Sequence, residues 1–327
     1  MSIENRYEFL YYVAYTDCNP NGDPDMGNAP RIDPETMQGY ITDVSVKRRI
    51  RNYVELAHGD EPGMGIIIRQ SSNINVAIGE AKVAAGVEDN AKTKDAVYAG
   101  RKKACELYYD VRTFGAVMST GPNAGQVRGP VQLSFGRSLD PILPLDISIT
   151  RMAIASGDTL AEAEKVEAET EERSLRTMGR KQFIPFGLYE FRGFISANLA
   201  AETGFDDEDL RILFEAILNM YENDHSASKG QVSIVSPLIL FRHDGTDSDL
   251  VQRKKQAKLG CAPSHKLFEL VKVQKKENVD HPRSYRDYEA TIALDKVPKG
   301  ISVGFQSNPY GEISWNKLPE DEWLTLE

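Results

Sequence analysis

The chain has 327 residues, with a hydrophobic fraction of 41% and a charged fraction of 27%, ordinary values for a globular protein able to bury a sizeable core. Its net charge of −10 excludes a surface that is basic all over, but is compatible with a basic groove on an acidic body. Cys18, Cys105 and Cys261 are far apart with no CxxC, which excludes a structural zinc knuckle; with no signal-like start and no apolar run of membrane length, a cytoplasmic location is expected.

The run Tyr7–Tyr15 is aromatic and β-branched throughout and predicts a strand buried on both faces. A loop rich in Asn, Pro, Gly and Asp follows, in which Pro20, Pro24, Pro30 and Pro34 argue against regular pairing. Thr42 suits the N-cap of a helix running to about His58. On a helical wheel Val46, Ile50, Tyr53, Val54 and Ala57 share one face, and Lys47, Arg48 and Arg51 share an adjoining arc. Residues 66–70 (IIIRQ) suit a short strand, and the small-residue-rich segment up to about residue 109 suits helices, with a basic cluster at Arg101, Lys102 and Lys103.

Residues 131–138 alternate like a half-buried strand. The segment 158–172 is strongly acidic and lies between basic flanks, Arg151 on one side and Arg180–Lys181 on the other, as expected of an excursion from the main body. Residues 183–200 predict a strand with close-approach points at Gly187 and Gly193. Asp206 or Asp207 caps a helix with Leu210, Leu213, Phe214, Ile217 and Tyr221 as its apolar stripe. Residues 232–241 predict another strand, placed near a sheet edge by Pro237. The strongest elements then run strand, helix, strand, strand, helix, strand. This is the ferredoxin-like order that the RNA-recognition fold also uses, here with two long insertions.

Asp17, Asn19, Asn21, Asp23 and Asp25 match the start of an EF-hand loop, but the twelfth position is Asn28 rather than Glu and a strand precedes the loop; only a looser magnesium site stays open. The five histidines lack metal-ligand spacing, and no phosphate-binding glycine loop or nucleophile elbow is present. The cations are more informative as a set. Arg31, Lys47, Arg48, Arg51, Arg69, Arg112, Arg128, Arg137, Arg151, Arg180 and Lys181 lie in or beside Gly/Pro-bearing loops and strand ends, while acids concentrate at 158–172 and in the C-terminal tail. Such segregation suits a phosphate-binding groove.

The stretches NPNGDPDMGNAPRIDPETMQGYITDVSVKRRIR, DVRTFGAVMS, RGPVQLSFGRSLDPI, MGRKQFIPFGLYEF and TGFDDEDLRILFEAILNMYENDHSASKG occur in order from about residue 19 to 230. On these, the chain resembles the repeated backbone subunit of the CRISPR Cascade surveillance complex, in its type I-C version. The resemblance implies an α+β fold: an RNA-recognition-like, ferredoxin-like palm with a large helical finger insertion and a thumb insertion. It implies palm at 1–59, fingers at 60–127, a palm strand at 128–140, a thumb at 141–181, and palm with the C-terminal region at 182–327.

It further implies copies arranged head to tail along one CRISPR RNA, kinking it at regular intervals and presenting it to target DNA, alongside other Cascade subunits. No catalytic activity, cofactor, metal or membrane partner is expected. The expected RNA-binding residues are Asn21, Arg31, Lys47, Arg48, Arg51, Arg69, Arg128, Arg137, Arg151, Met178, Arg180 and Lys181, with Met178 as an apolar wedge or else a core methionine. Two other readings stay open: a metal-dependent endoribonuclease using Asp23, Asp25 or Asp33, and a general single-stranded nucleic-acid-binding protein.

Overall fold

Alternate residues of β1 (Tyr7–Cys18) feed two different cores. Phe9, Tyr11, Val13 and Tyr15 point to one side of the sheet, and Leu10, Tyr12 and Ala14 to the other. The computed structural model describes residues 1–171, 174–226, 228–318 and 324–326, so the end of the acidic segment at Glu172 and most of the acidic tail lie outside the described residues.

After β1 the chain forms β2 (Gly22–Asp23), β3 (Ala29–Pro30), β4 (Gln38–Ile41) and α1 (Asp43–His58). The four prolines limit pairing in this loop without abolishing it, since β2 and β3 form a two-residue ladder. Next come α2 (Ile74–Ala84), α3 (Lys94–Leu107), α4 (Tyr109–Phe114), β5 (Gly115–Met118), β6 (Gly125–Arg128), β7 (Val131–Leu133), β8 (Gly136–Pro141), β9 (Leu145–Arg151) and α5 (Leu160–Glu169). The second half contains β10 (Thr177–Ile195), α6 (Ala197–Thr203), α7 (Asp207–Asn219), β11 (Gln231–Ile234), β12 (Leu238–His243), α8 (Leu250–Leu259), α9 (Ser264–Phe268), β13 (Val271–Lys275), β14 (Tyr288–Ile292) and β15 (Ile301–Gln306).

The main sheet runs β15-β12-β1-β10-β8-β4, antiparallel throughout. β12 is an interior strand, correcting the edge expected from Pro237. That proline falls in the break between β11 and β12, where no ladder hydrogen bond is needed. Gly193 lies directly across from Phe9, and a Cβ there would sit 2.1 Å from the Phe9 ring, so the aromatic side chain occupies the space a larger residue would need.

One sheet face is covered by α1 and α7. Asp206 caps α7 through a reciprocal box with Asp209. Val46, Ile50, Tyr53 and Val54 of α1 are buried as the wheel predicts, but Ala57 is exposed and Arg51 is buried instead. Glu215 of α7 is buried and accepts from Tyr53 Oη at 2.8 Å and Arg211 at 2.7 Å, and lies 3.1 Å from His58 Nε2. Burial disfavours the charged form of His58, but hydrogen bonds to Glu61 and Glu215 outweigh it and raise the pKa above its ordinary value. A raised folded-state pKa means that this stabilisation is present below the unfolded value and lost as pH rises through the folded one. The stability difference between wild type and His58→Gln should therefore shrink as pH rises above the ordinary histidine value of about 6.5, measured by urea unfolding over a pH series.

The other sheet face is covered by the chain after residue 260. Phe268, Leu270, Val271, Tyr288 and Ile292 pack on Leu10, Tyr12, Leu188, Ile239 and Phe241. This cover is tied down by His243 and Glu8, both fully buried. His243 Nδ1 accepts the Cys261 N–H at 2.7 Å, so Nε2 carries the proton and donates it to Glu8 at 2.7 Å.

Residues 67–124 contain a third core, with Ile78, Ala81, Ala104, Tyr108, Val111 and Met118 among its members. Lys82 is fully buried in this region, and its ammonium donates to the carbonyls of Asp89, Ala91 and Pro122 at 2.7, 2.5 and 2.6 Å. One cation thus satisfies three loop carbonyls. Residues 66–70 are not a strand, because Asp110 takes the N–H groups of Ile67 and Ile68 at 2.9 and 3.3 Å and so removes them from any ladder.

Candidate nucleic-acid interface

Asn21 Oδ1 accepts from both the backbone N–H and the hydroxyl of Thr42, at 3.0 and 3.1 Å. Thr42 is the N-cap of α1, so Asn21 fastens the polar loop to the start of the basic helix. Asn19 Nδ2 closes the same loop on the Asn28 carbonyl at 2.6 Å. β3 lies against β10, which brings the loop to the foot of a second feature.

That feature is a two-stranded ribbon. β10 extends beyond the main sheet, and its first residues pair with β9 from Thr177↔Arg151 to Phe183↔Leu145. Almost every residue of β9 is exposed, and Ile147, Ile149 and Met178 remain 40%, 48% and 73% exposed. Cross-strand register places Met178, Arg180, Ser148 and Thr150 on one ribbon face, and Ile147, Ile149, Arg151 and Lys181 on the other. Met178 is thus a surface residue and not a core methionine. At the far end, α5 is capped by a reciprocal Thr159–Glu162 box and buries none of its residues.

The cations of the predicted set fall into distinct environments. Arg31 pairs with Asp23 at 3.0 Å, Lys47 with Asp43 at 2.9 Å, Arg137 with Asp33 at 3.7 Å and Arg180 with Asp146 at 3.5 Å. Arg69 is exposed and lies 3.9 Å from Glu55. Partly exposed pairs of this kind contribute only about 0–1 kcal/mol, so an incoming phosphate can displace the carboxylate. Arg48 bonds the neutral side chains of Asn52 and Gln70 at 3.1 and 3.2 Å, while Arg151 bonds Thr177 Oγ1 and the Ala153 carbonyl at 3.2 and 3.0 Å. Lys181 lies at the foot of the ribbon opposite Ile147.

Two arginines correct the sequence reading. Arg51 is 7% exposed, bonds Asp110 at 2.7 Å and lies over the Phe114 ring. Arg112 is bidentate to Asp209 at 2.8 Å for both bonds and also donates to the Gly63 and Cys105 carbonyls. Both are buried because α4 docks between α1 and the start of α7, which a helical wheel of α1 alone does not contain. Their placement ties residues 60–115 to the main sheet and its helices and withdraws these guanidiniums from solvent.

Arg128 is exposed and stands apart from the loop and ribbon, at cavities it shares with α3 and α6. Arg176, exposed just before the ribbon strand, is absent from the predicted set; its position after the acidic run and three residues before Gly179 is the signal that could have found it. Asp23 is engaged by Arg31 and the Asp25 N–H, and Asp33 caps the turn at Glu35. Among the described residues no group of three His, Cys, Asp or Glu side chains is arranged to hold a metal ion, and no helix is long and apolar enough to cross a membrane.

The fold and site therefore define a mixed α+β protein with a large antiparallel sheet and an exposed, basic and apolar ribbon beside a polar loop. The family model for CRISPR-associated protein Cas7 matches residues 5–293, and the chain belongs to that family. A CRISPR-associated protein Cas7 of Haloferax volcanii is 26% identical over 230 residues, covering 65% of this chain; the chain spans 63% of that relative's length. Among solved structures, a chain of a CRISPR RNA-guided surveillance complex in a pre-nicking state aligns over 79% of this chain and 83% of its own, with 13% identity and a TM-score of 0.46. A chain of another CRISPR RNA-guided surveillance complex aligns over 90% and 91%, with 11% identity and a TM-score of 0.43.

Proposed function

We propose that this chain is a non-catalytic CRISPR RNA-binding subunit of a type I-C Cascade complex, several copies of which line one guide RNA and present it for pairing with target DNA. The observation that carries this reading is the exposed ribbon, on which Met178, Ile147 and Ile149 stand in solvent beside Arg151 and Arg180. A solvent-exposed apolar side chain flanked by guanidiniums suits insertion beside a base while the phosphates on either side are neutralised. Family membership supports the same reading.

The strand order β12-β1-β10-β8 with α1 and α7 on one face supports an RNA-recognition-like palm, since it is the antiparallel order of a split βαβ sheet. The separate core of residues 67–124 supports the finger assignment at 60–127, and the ribbon with α5 supports a thumb at 141–181. Asn21 acts by setting the angle between loop and helix. Arg31, Lys47, Arg48, Arg151, Arg180 and Lys181 meet phosphates, and the base-pairing edges of the RNA are left to the target strand.

The protein mixed with guide RNAs of two lengths should give particles whose mass rises with RNA length, measured by sedimentation. One fixed mass on both RNAs would sink the filament reading. In the same samples, magnesium-dependent cuts in complementary RNA that vanish in Asp23→Ala or Asp33→Ala would favour the endoribonuclease reading instead.

A further inference from the structure

Three cavities open along one side of the molecule, and neighbouring ones share a wall. The first, of 620 Å³, lies between α3 and the end of α6 and is lined by Tyr98, Arg101, Lys102, Arg128 and Thr203. Arg128 also lines the second, of 500 Å³, beside Gln132 of β7 and Lys258 of α8. Phe194 joins the second to the third, of 690 Å³, where Phe135, Arg137 and Arg192 meet α9. The line follows β7, which pairs with β10 on one side only among the described residues.

Cations outnumber carboxylates along this line. Arg101, Lys102, Arg128, Lys258, Arg192 and Arg137 succeed one another, and no carboxylate lies within ion-pair distance of Arg101, Lys102, Arg128 or Lys258 among the described residues. Arg192 is held on Glu190 at 2.5 Å and lies over Phe268. Aromatic rings stand at both ends. Tyr98 is 60% exposed with Arg101 over its ring, and Phe135 is 48% exposed and stacked parallel to Tyr40 at 6.1 Å. The Thr203 hydroxyl in the first cavity is buried and without a hydrogen-bond partner. Glu106 and Glu202 also line that cavity, with Glu106 paired to Lys103 at 3.0 Å.

We infer that this groove is a second track for single-stranded nucleic acid, distinct from the α1 and ribbon surface and touching the polar loop only at its third cavity, through Gln38, Asp33 and Tyr40. The inference rests on the guide RNA occupying that surface, as proposed above. Cations spaced along a groove with stackable rings at its ends fit a sugar-phosphate strand whose bases are free, and they carry no means of reading sequence. Every nucleotide of a strand offers both a phosphate and a flat base, so charge and stacking recur together along it, which an acidic peptide does not supply at each residue.

The test uses the protein assembled on guide RNA, with a fluorescein-labelled oligo(dT) that has no complementarity to the guide. Anisotropy should show salt-dependent binding of the oligonucleotide. Arg101→Ala/Lys102→Ala/Lys258→Ala should lower the log–log salt slope by about 2 and weaken binding at least tenfold, with guide affinity unchanged. Phe135→Ala, on an exposed ring, should weaken oligonucleotide binding about fivefold or more. Absence of oligonucleotide binding by wild type overturns the inference, as does wild-type binding by both variants. Parallel loss of guide and oligonucleotide affinity also overturns it, because the groove would then be the guide's own track. Wild-type protein that binds oligo(dT) but forms no guide complex refutes the proposed function and leaves the groove's affinity directly measured.

Discussion

Arg112→Ala should be the most destabilising single substitution among the charged residues, lowering unfolding free energy by about 3–5 kcal/mol. Its guanidinium satisfies Asp209 through two bonds and the Gly63 and Cys105 carbonyls through one each, all buried except the part-buried bond to Gly63. Removing it leaves an uncompensated carboxylate and two orphan acceptors. Asp209 is also the reciprocal partner of the α7 cap, so the damage reaches the start of that helix. Urea unfolding measures the loss. Arg112→Ala/Asp209→Asn should recover part of it, since the amide removes the buried charge. A loss below about 1 kcal/mol for the single variant, the range of a surface pair, would show that this joint is open to water.

The second large effect concerns RNA. Lys47→Ala/Arg151→Ala/Arg180→Ala removes three cations whose resting bonds are partly or fully exposed, so the fold should survive. If each meets one phosphate, the salt slope of guide binding should fall by about 2 and affinity at 0.1 M salt by about a hundredfold, equally across guide sequences. Fluorescence anisotropy over a salt series reads both quantities. An unchanged slope would remove these cations from the phosphate contacts. Arg51→Ala is not a substitute for any of the three: it unpairs Asp110 inside the protein, so its first effect falls on stability.

The difference between Arg51 and Lys47 shows how far the sequence is legible. They are four residues apart on α1, and any pattern of one helix treats them alike. Only the docking of α4 places Asp110 against Arg51. Lys47 also lies over the Phe114 ring but keeps a partly exposed partner in Asp43. Met178 shows the same limit from the other direction, because an apolar residue before Gly179 suits a core strand and a projecting ribbon equally. Its exposure follows from β10 outrunning its main-sheet neighbours and, among the described residues, finding only β9 to pair with.

The groove draws on still more of the chain. Arg101 and Arg128 flank α4 in sequence, whereas Arg192 and Lys258 come from the second half, and strand order and the docking of α6, α8 and α9 make them neighbours of one surface.

Local features are legible in the chain alone: the buried run Tyr7–Tyr15 of the first strand, the Thr42 and Asp206 caps, the amphipathic helices and, of the resemblance, its family, the CRISPR-associated Cas7 proteins. These depend on residue periodicity and on bonds between residues close in the chain. The folded arrangement settles which guanidiniums face water, which strand is interior, and what covers the second sheet face. Those outcomes depend on partners 40 to 240 residues away, such as Asp110 for Ile68 and His243 for Glu8, and no local pattern encodes a partner at that separation.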